Sequence, residues 1–77
     1  MQHFFEVLMT YADYRQGFVA ELWLANQHIA EIYQNAQGGK CIDLHCPPAQ
    51  ALSLPLDAWL EALQQAQAAL WPLAGRK

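Results

Sequence analysis

Positive charge is scarce in this chain. Arg15 and Lys40 are the sole cations ahead of the terminal Arg76-Lys77, and the formal net charge is -3. A nucleic-acid binder draws most of its affinity from neutralising phosphates, so it presents a basic patch. None can be assembled here, which excludes direct DNA or RNA binding as an expectation. Long apolar runs are also missing. No segment reaches the roughly 18 uninterrupted apolar residues of a membrane-spanning helix. The start, Met1-Gln2-His3-Phe4-Phe5-Glu6, has neither the basic opening nor the long apolar stretch of a secretory signal. A cytoplasmic protein is expected. Cysteine is scarce too: Cys41 and Cys46 are too few for a disulfide framework, and two reduced thiols are the expectation.

Charge of either sign is thin, at 14% of residues against 55% hydrophobic. Such a chain folds rather than staying disordered. It is also lightly charged for a soluble monomer, which points to a buried interface. With 77 residues there is room for a single domain, 1–77, with one small core. A domain of that size is marginal alone, and self-association is one remedy.

Alternation of apolar and polar residues places four strands, at about 4–11, 18–25, 29–34 and 40–46. In the first, Phe5, Val7, Met9 and Tyr11 face a core, with Phe4, Glu6, Leu8 and Thr10 outward. In the second, Phe18, Ala20, Leu22 and Leu24 oppose Val19, Glu21 and Trp23. In the third, Ala30 and Ile32 oppose Glu31 and Tyr33. In the fourth, Ile42, Leu44 and Cys46 oppose Cys41, Asp43 and His45. Turns are read at Asp13–Gly17 and Asn35–Gly39 from their polar and glycine content. A loop at Asn26-Gln27-His28 is expected to set Leu22 opposite Ile32 and Trp23 opposite Glu31, because a two-residue turn at Asn26-Gln27 mixes the faces. Pro47-Pro48 ends the fourth strand.

A helix is expected over about 55–71, with Pro55 in its first turn and Pro72 closing it, followed by a frayed tail over 72–77. Leu56, Trp59, Leu60, Leu63, Ala66 and Leu70 form its apolar stripe. Ala58, Ala62 and Ala69 with Gln65 form its back, either solvated or a close-approach helix surface. The fold class is therefore α+β: a four-stranded antiparallel meander followed by one amphipathic helix on one face. The layout, a sheet and then a Leu-x-x-Leu-x-x-Ala helix, resembles that of HicB-type antitoxins. The first helix usual in that layout has no counterpart here, and no site residue is carried over.

No motif specifies a reaction. Cys41-x3-His45-Cys46 puts its thiols on opposite faces of one strand and has no second ligand pair, so it is not expected to hold zinc. A cysteine nucleophile lacks an orienting group and an oxyanion loop. Gly38-Gly39 is too short for a phosphate cradle. No catalytic residue, metal or cofactor is read from the sequence.

The sheet face away from the helix is the candidate surface. It gathers Glu6, Glu21, Glu31 and Asp43 with Trp23, Tyr33 and His45. Carboxylates on an open face lack the pocket that catalysis needs to separate their pKa values. Acid ringed around aromatics suits docking to a basic protein surface, with Trp23 and Tyr33 as anchors. The expected function is a small non-enzymatic interaction module that covers such a surface, in the manner of an antitoxin, an immunity protein or a phage inhibitor. The alternative is a homo-oligomeric structural subunit, a homodimer at its simplest. A third class, a small enzyme, finds no site.

Overall fold

The computed structural model describes residues 5–45 and 51–72. Its elements are β1 (Glu6–Ala12), a 3-10 turn (Asp13–Arg15), β2 (Gly17–Leu24), β3 (Gln27–Gln34), β4 (Lys40–Leu44) and α1 (Leu56–Leu70). The strands form one antiparallel sheet in the order β1-β2-β3-β4, and α1 packs across one face of it. The α+β meander-plus-helix expected from alternation is the fold. The expected positions of Phe4 and Cys46, and of the tail beyond Pro72, lie outside the described residues.

The helix side of the sheet is built of cross-strand rows. Val7 pairs with Leu22, Leu22 with Ala30, and Ala30 with Leu44. In the next row Met9 pairs with Ala20, Ala20 with Ile32, and Ile32 with Ile42. Leu22, Ala20, Ala30 and Ile32 are buried there with Ile29, Ala62 and Ala66. Phe5, Trp59, Leu63, Leu70 and Trp71 pack around this cluster, Phe5 meeting Trp59 ring to ring at 5.3 Å.

The register of the central hairpin differs from the expectation. Leu22 faces Ala30 rather than Ile32, and Trp23 faces His28 rather than Glu31. The turn is two residues, Ala25-Asn26, both at positive φ (50° and 66°). That pair of conformations belongs to the type I′ turn, whose twist matches the flanking strands. A tight turn there alone would set Glu21 against Ala30 and mix the faces. An irregularity between Leu22 and Trp23 prevents this, because β3 carries one extra residue there. Ile29 and Ala30 both join the core, while His28 and Glu31 go to the other face. Leu22 and Ile32 still share the helix side, as diagonal neighbours.

Ala25 is a poor residue for left-handed backbone, since its Cβ crowds the following carbonyl. Replacing Ala25-Asn26 by Asn-Gly is therefore expected to stabilise the domain by about 1 kcal/mol. A rise in the urea midpoint with unchanged slope checks it; no rise means that the turn is not at this position.

The second turn is tied by Asn35, whose Oδ1 accepts from the backbone of Gln37 at 3.0 Å and Gly39 at 2.8 Å. Gly38 sits at φ 84°. A Cβ at Gly39 would lie 3.1 Å from the Asn35 amide nitrogen, so the turn uses both glycines.

The helix is also rotated from the expected stripe. Ala62 and Ala66 are its buried residues, and Leu60 is 49% exposed. Small side chains let the helix approach the sheet most closely along the Ala62–Ala66 line. Trp59, Leu63 and Leu70 then flank that line, and Leu56 and Leu60 turn outward. Ala62, expected on the back, is thus at the centre of the contact. The helix lies chiefly over β1 and β2. Beyond its reach Met9, Tyr11, Phe18, Ile42 and Leu44 are largely exposed on the helix side. The ring edge of one of Tyr11 and Phe18 meets the face of the other at 5.4 Å.

Candidate interaction face

The face away from the helix is also ordered in rows. At one end Glu6 pairs with Trp23 and Trp23 with His28. In the middle Leu8 pairs with Glu21, Glu21 with Glu31, and Glu31 with Asp43. In the third row Thr10 pairs with Val19, and Tyr33 with Cys41. Three carboxylates therefore stand side by side across β2, β3 and β4. Like charges directly opposite each other destabilise a sheet, so something must offset them.

Arg15 does so. The 3-10 turn after β1 carries it to this face, and Gln16 then reverses the chain at φ 56°. The Arg15 Nε donates to Glu31 at 2.6 Å and an Nη donates to Asp43 at 2.5 Å. The guanidinium lies 3.4 Å from the centre of the Tyr33 ring. Tyr14 donates its hydroxyl to both oxygens of Glu31, at 2.7 and 2.8 Å. Glu31, only 3% exposed, is the buried charge of the described residues, and it is paired and hydrogen-bonded as burial demands.

These contacts raise the pKa values of Tyr14, Arg15 and Tyr33. The hydrogen bond to Glu31 comes first in raising the Tyr14 pKa above its ordinary value, ahead of desolvation and the Glu31 charge. The same carboxylate raises Arg15, with Asp43 adding to it. Tyr33 is raised first by desolvation and then by the Asp43 charge, and its hydroxyl donates weakly to Asp43 at 3.3 Å.

At the other end of the face the Trp23 indole donates to Glu21 at 3.0 Å. Its ring stacks on His28 at 5.1 Å and 11°. The His45 ring centre lies 4.7 Å from that of His28. Trp23 is half-buried rather than freely exposed.

The residues expected on one surface are thus brought to one surface. Glu6, Glu21, Trp23, Glu31, Tyr33, Asp43 and His45 all belong to it. Their standing differs. Glu6 and His45 are exposed, Glu21, Trp23, Tyr33 and Asp43 are partly so, and Glu31 is withdrawn beneath Tyr14 and Arg15. Glu31 therefore offers no steering charge; it organises the face from within. Three members lie outside the sequence expectation: Tyr14, Arg15 and His28. Tyr14 and Arg15 fall within the Asp13–Gly17 turn of the sequence reading; the available signal is that Arg15 is one of two cations ahead of the terminal pair in a chain with an acid-rich face. His28 falls in the expected Asn26-Gln27-His28 loop, which starts one residue later and ends two residues later than the observed Ala25-Asn26 turn. No protein-family model matches the chain, and neither a curated protein nor a solved structure matches it.

Proposed function

We propose that this chain is a small non-enzymatic interaction module that covers a basic surface of another protein with the polar face of its sheet. One observation carries the reading. The face holds four carboxylates against a single guanidinium, and its partly exposed aromatic Trp23 is held rigid by Glu21 and His28. A residual negative field speeds encounter with a basic partner, and a preorganised aromatic supplies a desolvated anchor at small entropic cost. An antitoxin, an immunity protein or a phage inhibitor would each fit this chemistry.

The test compares baits. Wild-type protein is expected to retain a specific partner that salt elutes. A Glu6→Lys, Glu21→Lys variant should associate more slowly, most clearly at low ionic strength. Trp23→Ala should weaken binding by about 2 kcal/mol or more while the fold persists. A partner that binds all three alike sinks the reading.

A second reading has its own observation. Ile42 and Leu44 of β4, and Leu56 and Leu60 of α1, are exposed large apolar residues on the helix side. They favour a homo-oligomeric subunit, associated through that side and insensitive to salt. Sedimentation at high salt separates the two: a concentration-dependent dimer there supports the subunit, and a monomer supports the partner-covering module.

A further inference from the structure

We infer that Glu21, His28 and Glu31 form a binding site for one divalent transition-metal ion of the zinc class. A ring nitrogen of His28 and one carboxylate oxygen from each of Glu21 and Glu31 all lie within 4.8 Å of one another. The set joins adjacent strands, with Glu21 directly opposite Glu31. His28 reaches it because the extra residue in β3 puts His28 and Glu31 on the same face.

An independent observation points to a ligand. The Nε2 atom of His28 is withdrawn from solvent and has no hydrogen-bond partner. A buried, unsatisfied polar atom costs roughly 1–3 kcal/mol. Among the described residues it is the buried side-chain nitrogen or oxygen left without a partner.

The electrostatics agree. Across the middle row three carboxylates face one guanidinium, which leaves two negative charges. A divalent ion cancels them.

The ligands retain the capacity to bind. Glu31 takes Tyr14 on both oxygens and Arg15 on Oε2. A carboxylate has about four lone-pair positions, so Oε1 keeps one. Glu21 accepts one bond, from Trp23, and keeps the rest. Those same donors are the outer contacts that orient metal ligands. Trp23 stacked on His28 fixes the plane of the imidazole.

Donor type selects the ion. One imidazole with two carboxylates suits zinc and its first-row neighbours, whereas calcium and magnesium take oxygen alone. Tetrahedral zinc sets its ligand atoms about 3.3 Å apart, so small side-chain rotations must close the triangle on binding. Three protein ligands leave a fourth position for water. The sequence expectation is that the chain binds no zinc tightly, argued from Cys41 and Cys46; the proposal departs from it, at a set of residues that includes neither cysteine.

The experiment uses the full chain, stripped with chelator, and zinc chloride alone. No partner protein is present, so the result is independent of the proposed function. Calorimetry is expected to give one equivalent bound. His28→Phe, which keeps an aromatic ring against Trp23, and Glu21→Gln should each weaken binding about a hundredfold or more, beyond the usual loss for an outer contact. A Cys41→Ser, Cys46→Ser variant should bind as wild type. Proton–nitrogen spectra of wild-type imidazoles should show the His28 ring shifting on zinc addition, a readout that needs no variant to fold. Absence of binding, an unmoved His28 ring, or loss of binding in the cysteine variant overturns the proposal.

Discussion

Arg15→Ala is expected to destabilise the domain by roughly 2–4 kcal/mol, although Arg15 belongs to no strand and no apolar core. The reason lies beneath it. Glu31 is 3% exposed and takes its short ion pair from Arg15 at 2.6 Å. Removing one partner of a buried pair leaves the other charged and poorly solvated, which costs several kcal/mol. Two factors moderate the loss. The Arg15 side chain is itself 21% exposed, and Tyr14 continues to donate to Glu31. A domain of this size has a total stability of roughly 4–12 kcal/mol, so the variant stands near unfolding at moderate urea. Glu31→Gln should recover part of the loss when added to Arg15→Ala, because the stranded charge is gone. A double-mutant cycle by urea denaturation measures the coupling. If the two losses simply add, the pair contributes nothing to the fold.

Leu22→Ala is expected to cost roughly 2–5 kcal/mol, and Leu60→Ala less than about 1 kcal/mol. Leu22 is wholly buried on a central strand, between Val7 and Ala30 and under the helix. Truncation removes its transfer energy and leaves a cavity that a small core cannot easily collapse around. Leu60 is half exposed and has little burial to lose. The contrast is the informative part, since the two residues look equivalent in the sequence. Equal losses would place Leu60 in the core and rotate the helix away from its Ala62–Ala66 contact.

That equivalence shows where the sequence runs short. Alternation is a strict two-residue signal, so Glu21, Trp23, Glu31, Tyr33 and Asp43 could be assigned to one face from their positions alone. The order of elements followed from the same signal and from Pro72 and the glycine turn. Register did not follow. It depends on Ala25 accepting positive φ, which its residue type disfavours, and on an extra residue at Ile29, which looks like any other apolar position. Helix orientation is hidden for a related reason. Large apolar residues mark a stripe, but the closest approach belongs to two alanines whose type says little. The middle of the candidate face was hidden by distance in the chain: Arg15 acts on Glu31 and Asp43, 16 and 28 residues away. No local pattern encodes a contact of that range.

The helix is the last described element, yet it rests chiefly on the two strands made first. During synthesis β1 to β4 leave the ribosome, each able to pair with its sequential neighbour, before the helix that covers their apolar side is available. Hairpins of this kind form quickly because their loops are short. For that interval Val7, Leu22 and Ile32 have no cover, and a nascent meander in that state is a substrate for chaperones or for neighbouring copies of itself. The lag between β2 and α1 is therefore an interval in which the apolar side of the sheet is open to misassociation.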